Sequence, residues 1–204
     1  MSILLQTPVT AFDHYLTAQS PRAYAPSFRA FYRFLREEVQ FGWTGSRDHT
    51  YHHCARVLLF TLMIGRLEGL AEDQVHDAAL AAVFHDSRRL DDGFDVGHGL
   101  RAAHYYRQYT NAHRRPFSRP VYAAIAFHDR DDALALKAFQ HAPDAENQRT
   151  VWRLLKDADA LDRLRFGEAA LDTSYLRTQA ALQLLPEARR IVQESAALVD
   201  QRPG

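Results

Sequence analysis

A single cysteine, Cys54, rules out an internal disulfide and suits a reducing compartment, where it reads as a small core residue. An excess of one charge is also missing: Lys+Arg and Asp+Glu are both 25, and no basic run stands out. That balance excludes a protein that coats nucleic acid through an extended basic surface, and it points to a small or locally recognised partner. Long apolar runs are missing too. The longest nearly apolar stretch, Val57 to Ile64, falls far short of the roughly 20 residues that a bilayer demands. The first residues lack the basic start of a signal peptide, so a cytoplasmic protein with no membrane contact is expected. No Gly/Ser/Pro-rich linker divides the chain, and one domain over 1–204 is the expectation.

Period-two alternation is not sustained anywhere, whereas apolar residues recur at helical spacing almost throughout. The expected fold class is therefore all-α, a single helical bundle. Phe28, Phe31, Tyr32, Leu35 and Val39 mark a helix after Pro26, with Ser27 as its cap, that ends at Phe41-Gly42-Trp43. The next helix is expected to begin near Ser46 or Asp48. Asp77 to Phe84 reads as an Ala-rich, closely packed helix, and Val121 to Phe127 as another. Val151, Leu154, Leu155, Ala158 and Leu161 form the stripe of a long helix. From Asp172 onward the tail reads as amphipathic helix with a start signal at Pro186, expected to cap the bundle or to form a homodimer contact.

Polar residues at the ends of these apolar helices carry the chemistry. His85 and Asp86 abut after Val83-Phe84, where they would cost stability without a partner, and a metal ion is the simplest one. The same ending, His128-Asp129, closes the Val121 helix. His49 and His53 are four apart and share a helix face, while His52 is rotated about 100° away, which favours His53 as a ligand. His98 sits at a loop–helix junction; His104 lies about 120° around the helix from it, so one of the two is a ligand candidate. Asp159 lies next to the long helix's stripe and requires a cation or metal, whereas Asp157 and Asp162 are expected on other faces and Lys156 in solvent. Arg56 reads as a structural partner for a carboxylate on a neighbouring helix. Arg88 and Arg89, just beyond His85-Asp86, are candidates for a phosphate, because guanidinium meets phosphate oxygens bidentately.

His53, His85-Asp86, His98, His128 and Asp159 stand in the order H…HD…H…H…D, which resembles the HD-domain superfamily of metal-dependent phosphohydrolases. His53-Cys-Ala-Arg56-Val57 is similar to its H-x-x-R-V, Ala81 to Asp86 to its A-x-x-x-H-D, and Ala158-Asp159-Ala-Leu161 to its A-D-x-L. The resemblance covers about residues 46–166, leaving helices of 1–45 and 167–204 to pack on that core. It implies that His53, His85, Asp86 and Asp159 hold one divalent ion (Mn, Fe, Mg or Zn). Asp86 would then bridge to a second ion completed by His98 and His128. It further implies a metal-activated hydroxide attacking a nucleotide or other small phosphate ester, with Asp86 in the catalytic centre and His49 as a neighbouring donor or leaving-group acid. Binuclear-iron oxygenases share the scaffold, and a non-catalytic nucleotide- or partner-binding domain is the third expectation. No G-Y-P follows the last histidine motif, which sets the cyclic-dinucleotide branch aside.

Overall fold

Ten α-helices and no strand form among the described residues, which are 10–20, 22–46 and 50–199 of this computed structural model. They are α1 (Ala11–Gln19), α2 (Ala25–Glu37), α3 (Tyr51–Leu67), α4 (Glu72–Phe84), α5 (His98–Ala112), α6 (Arg119–Phe127), α7 (Asp132–Phe139), α8 (Ala145–Asp162), α9 (Gln179–Gln183) and α10 (Leu185–Val199). Short 3₁₀ turns at Arg163–Phe166, Glu168–Ala170 and Thr173–Tyr175 join α8 to α9.

From Cys54 to Leu62, α3 is buried on every side, and a helix that is apolar all round is stable only when neighbours surround it. It has them: α2, α4 and α8 pack on it. Ala78, Ala79, Ala81 and Ala82 leave α4 so slender that α3, α6 and α8 all close on it. On α6, Ala123, Ala124 and Ala126 do the same toward α8 and α5. Gly99 makes the α5–α6 approach closer still. A β-carbon there would lie 2.6 Å from the Ile125 carbonyl oxygen, 2.7 Å from Asp129 Oδ1 and 3.0 Å from His128 Nδ1. Helices α1, α2 and α10 lie outside this group; α1 packs on α10 and α2 on α3 and α4.

Three boundaries depart from the sequence reading. Helix α2 begins at Ala25, placing Pro26 in its first turn and Ser27 within the helix rather than at its cap. Helix α3 begins at Tyr51 behind an extended Thr50, later than Ser46; Asp48, the other expected start, lies outside the described residues. The tail is not continuous helix from Asp172. Asp157, buried on α8, accepts the Arg177 N–H at 2.9 Å and the Thr178 N–H and hydroxyl at 2.8 Å each, so its carboxylate occupies backbone donors just ahead of α9. No helix is long and apolar enough to cross a membrane among the described residues.

Candidate metal centre

Four imidazoles reach one buried region from four elements: His53 from the first turn of α3, His85 from the end of α4, His98 from the first residue of α5, and His128 from the end of α6. Both His85 and His128 continue in right-handed helical conformation past the last assigned residue, so the side chain leaves the helix end and turns inward. Gly97, with φ +101°, makes the bend that starts α5 at His98, a backbone conformation open to glycine. His104, one and a half turns further on, is exposed near Tyr122; of the two α5 histidines it is His98 that enters the cluster.

Each ring is oriented through Nδ1. His53 Nδ1 lies 2.7 Å from Asp162 Oδ2, His85 Nδ1 2.8 Å from the Ala82 carbonyl, His98 Nδ1 2.6 Å from the Asp95 carbonyl, and His128 Nδ1 2.8 Å from the Ile125 carbonyl. An oxygen acceptor at Nδ1 keeps the proton there and leaves the Nε2 lone pair free, the tautomer a metal ligand requires. The four Nε2 atoms then converge in two pairs, His53 with His85 at 3.1 Å and His98 with His128 at 2.9 Å.

Asp86 stands between the pairs with one oxygen for each. Its Oδ2 is 3.4 Å from His53 Nε2 and 3.9 Å from His85 Nε2; its Oδ1 is 3.0 Å from His98 Nε2 and 3.5 Å from His128 Nε2. Asp159, from α8, joins the first pair, with Oδ1 3.3 Å from His53 and 3.9 Å from His85. The ligand atoms of His53, His85 and Asp159 lie within 4.8 Å of one another, as do those of His85, Asp86 and His128. Facing lone pairs about 3 Å apart repel unless a cation or a proton lies between them, and the two carboxylates reinforce that demand. The donor set of imidazole and carboxylate suits a borderline or hard divalent ion. The buried His/Asp cluster could therefore hold a metal ion.

The electrostatics separate the ligands. Burial holds His85 down to about 3, so it is neutral. Burial and Arg165 also act against a charged His53, but the hydrogen bonds to Asp159, Asp162 and Asp86 outweigh them and raise it to about 10. His128 is raised as well: burial acts against its charge, but the hydrogen bond to Asp86 and the charges of Asp86 and Asp159 together outweigh it. Asp159 and Asp162 are held well below the usual carboxylate range despite burial, the first by His53 and the second by Arg56 and His53. Protons thus fill part of the ion-free cluster at neutral pH. The sign follows: His53 stabilises the ion-free fold below about pH 6.5, and this contribution disappears as pH rises through about 10. A binding ion must expel that proton, so affinity for Mn²⁺ should rise as pH increases from 6 to 9, by about tenfold per unit for each proton displaced. Calorimetric titration in buffers of different ionisation enthalpy checks this; binding with no proton release at pH 7 contradicts it.

Asp162, like Asp157, lies inside rather than on an outer face of α8. Rather than facing elsewhere, it is wholly buried and accepts hydrogen bonds from Arg56 Nε at 2.5 Å and Arg56 Nη2 at 3.1 Å, besides orienting His53. Arg56, three residues after His53, lies on the same face, which is why one carboxylate serves both. Asp129, next to His128, accepts the Gly97 and Gly99 N–H groups at 2.5 and 3.3 Å and so ties the start of α5 to the end of α6.

A cavity of about 390 Å³ opens onto the cluster. Asp86, His98, His128 and Asp159 line it together with Arg89, and the Asp159 side chain is 33 % exposed, so the cluster is reachable from solvent. Arg89 braces the cavity loop, donating to the Gly93 carbonyl at 2.7 Å and the Asp91 carbonyl at 3.2 Å, while its Nη1 lies 3.9 Å from Asp86 Oδ1. Arg88, the other arginine beside His85-Asp86, is not among the residues that line this cavity. Its guanidinium covers the Tyr105 ring at 3.4 Å and donates to the Gln40 and Ser87 carbonyls. Lys156 is not free in solvent either, since it donates to Asp132 Oδ1 at 2.7 Å and the Arg130 carbonyl at 2.8 Å. His49 lies outside the described residues. Compared with protein-family models, curated proteins and solved structures, the chain has no match.

Proposed function

We propose that this chain is a metal-dependent phosphohydrolase of the HD type, acting on a nucleotide or other small phosphate ester. The observation that carries the reading is Asp86, whose two oxygens each face a separate pair of imidazole Nε2 atoms at the floor of an accessible cavity. Two divalent ions there would lower the pKa of a shared water and neutralise charge on an in-line phosphoryl displacement. Hydrolysis moves the water oxygen onto phosphorus, breaks the ester P–O bond and leaves the alcohol with a proton.

The chain's own residues suit that reaction. Arg89 lines the cavity with its Nη1 3.3 Å from His98 Nδ1 and 3.9 Å from Asp86 Oδ1, so its charge stands beside the cluster where a phosphoryl group would bind. Gly97, Gly99 and Asp129 hold His98 against His128, and Asp162 holds His53, so the ligand cage is fixed before anything binds. Phe94, 96 % exposed, and Phe166, 48 % exposed, line the same cavity. Large apolar side chains left so open at a cavity suit a partner with a flat ring, which supports a nucleotide over an aliphatic ester. The cationic lining likewise supports a phosphate-bearing substrate.

Ion-free protein reconstituted with Mn²⁺, Fe²⁺, Mg²⁺ or Zn²⁺ should hydrolyse mono- or bis-(p-nitrophenyl) phosphate with at least one of them, and chelation should abolish the turnover. No hydrolysis of any phosphate ester with any of the four ions would overturn the reading.

A further inference from the structure

Five cationic side chains line the cavity: Arg89, Arg130, Lys156, Arg163 and Arg165. Three have a role or a carboxylate close by. Arg89 braces the loop and faces Asp86, Lys156 is paired with Asp132, and Arg130 Nε lies 3.7 Å from Asp129 Oδ1. Arg163 has no such partner among the described residues, and Arg165 only shares one. Arg163 is exposed, its Nε donates to the Ala170 carbonyl at 2.8 Å, and no carboxylate lies within ion-pair distance of it among the described residues. Arg165 is nine-tenths buried, with 10 % of its side chain exposed. Its Nη1 donates to Asp162, a carboxylate already engaged by Arg56 and His53. Its Nε is buried with no hydrogen-bond partner.

Arg163, exposed at the cavity and with no carboxylate in reach among the described residues, is the open anion-binding group there, and the Arg165 charge beside it, matched only by a shared carboxylate, adds to the attraction. The fold also sets where that anion would sit. Arg163 follows Asp159 by four residues, so it lies one helical turn from the ion-binding carboxylate on the same side of α8. Arg165 belongs to the 3₁₀ turn that continues α8, and the Phe166 ring lies 4.1 Å from its guanidinium carbon, which keeps that group flat beside the exposed ring. One phosphoryl group at the ion cluster would leave Arg163 without a counter-ion and Arg165 with only its share of Asp162.

We propose that Arg163 and Arg165 form a second anion subsite, and that the substrate is a nucleotide carrying two phosphate groups, one at the His/Asp cluster and one on these arginines. The inference rests on the phosphohydrolase reading for its first phosphate and on the Arg163–Arg165 wall for its second.

The test compares adenosine 5′-monophosphate with two nucleotides that carry a second phosphate, adenosine 5′-diphosphate and adenosine 3′,5′-bisphosphate, on Mn²⁺-loaded protein. Affinity is measured by calorimetry, so the comparison stands whether or not turnover occurs. At least one two-phosphate nucleotide should bind about tenfold or more tightly than the monophosphate, the worth of one charge-assisted hydrogen bond. Arg163→Ala should collapse that ratio toward one, Arg163→Lys should restore part of it, and Arg189→Ala, which alters an exposed arginine paired with Glu168, should leave it unchanged. Wild-type protein that binds all three nucleotides equally, or an Arg163→Ala ratio equal to that of wild type, overturns the subsite. Hydrolysis of nitrophenyl phosphate alongside equal binding would sink the subsite alone, whereas tight two-phosphate binding without hydrolysis of any ester would sink the reaction alone.

Discussion

Asp86→Ala should leave the purified protein with almost no bound metal, while Asp159→Ala and His128→Ala should each lose one ion and retain the other. The difference follows from reach. Asp159 approaches only His53 and His85, and His128 bonds through Nε2 with His98 and the Oδ1 side of Asp86, but Asp86 itself contacts both imidazole pairs. A bridging carboxylate supplies a ligand atom and a compensating charge to each ion, and among the described residues no other carboxylate approaches both imidazole pairs. If the centre performs the proposed chemistry, losing it removes several kcal/mol of charge stabilisation and water activation, which is about 10³-fold or more in kcat. Elemental analysis of the three variants, with circular dichroism to establish that they fold, provides the measurement. Asp86→Ala protein that still carries the wild-type complement of metal would show that the cluster is not organised around this residue.

How much of this arrangement was legible in the sequence depended on how local its cause was. His85, Asp86 and His128 stood out because a polar pair at the end of an Ala-rich apolar helix has to be stabilised by something, and that conflict is visible within ten residues. The helical periodicity of α2, α6 and α8 was visible for the same reason. Helix α7 was not: it has eight residues and buries only Ala135 and Phe139, too few for a period. Asp162 is not legible from the apolar stripe, because that stripe is only part of the buried surface of α8. That helix packs against α3, α4 and α6 together, so its buried arc is wide enough to take in Asp157 and Asp162 as well. Their partners, Arg177 at one end and His53 with Arg56 at the other, are remote in the chain, and no local pattern announces them. The choice between Arg88 and Arg89 was equally hidden. The two are neighbours on a turn, and a ring on α5, Tyr105, takes one guanidinium while the cavity loop takes the other.

Asp162→Ala is expected to be the most destabilising single change at the site, although Asp162 would touch neither ion nor substrate. Its carboxylate answers three groups at once: it accepts from Arg56 Nε and Nη2, accepts from Arg165 Nη1 at 3.2 Å, and orients His53 through Nδ1. Truncation leaves two largely buried guanidinium groups without their counter-ion, which costs about 3–5 kcal/mol, or a fall in Tm of roughly 10 °C for a chain of this size. Asp162→Asn separates this structural role from the role toward the metal. An amide oxygen can still accept from His53, but without the negative charge the ring is a weaker ligand, and affinity for the ion should drop about 10–100-fold. Because Arg56 and Asp162 act as a pair, replacing Arg56 with Met in the Asp162→Ala background should recover part of the lost stability, where two independent sites would add their costs. Thermal melts of the single and double variants, with a Mn²⁺ titration of Asp162→Asn, decide the matter. An Asp162→Ala protein that melts within about 2 °C of wild type would mean that these two arginines are solvated and that His53 is held in place by something else.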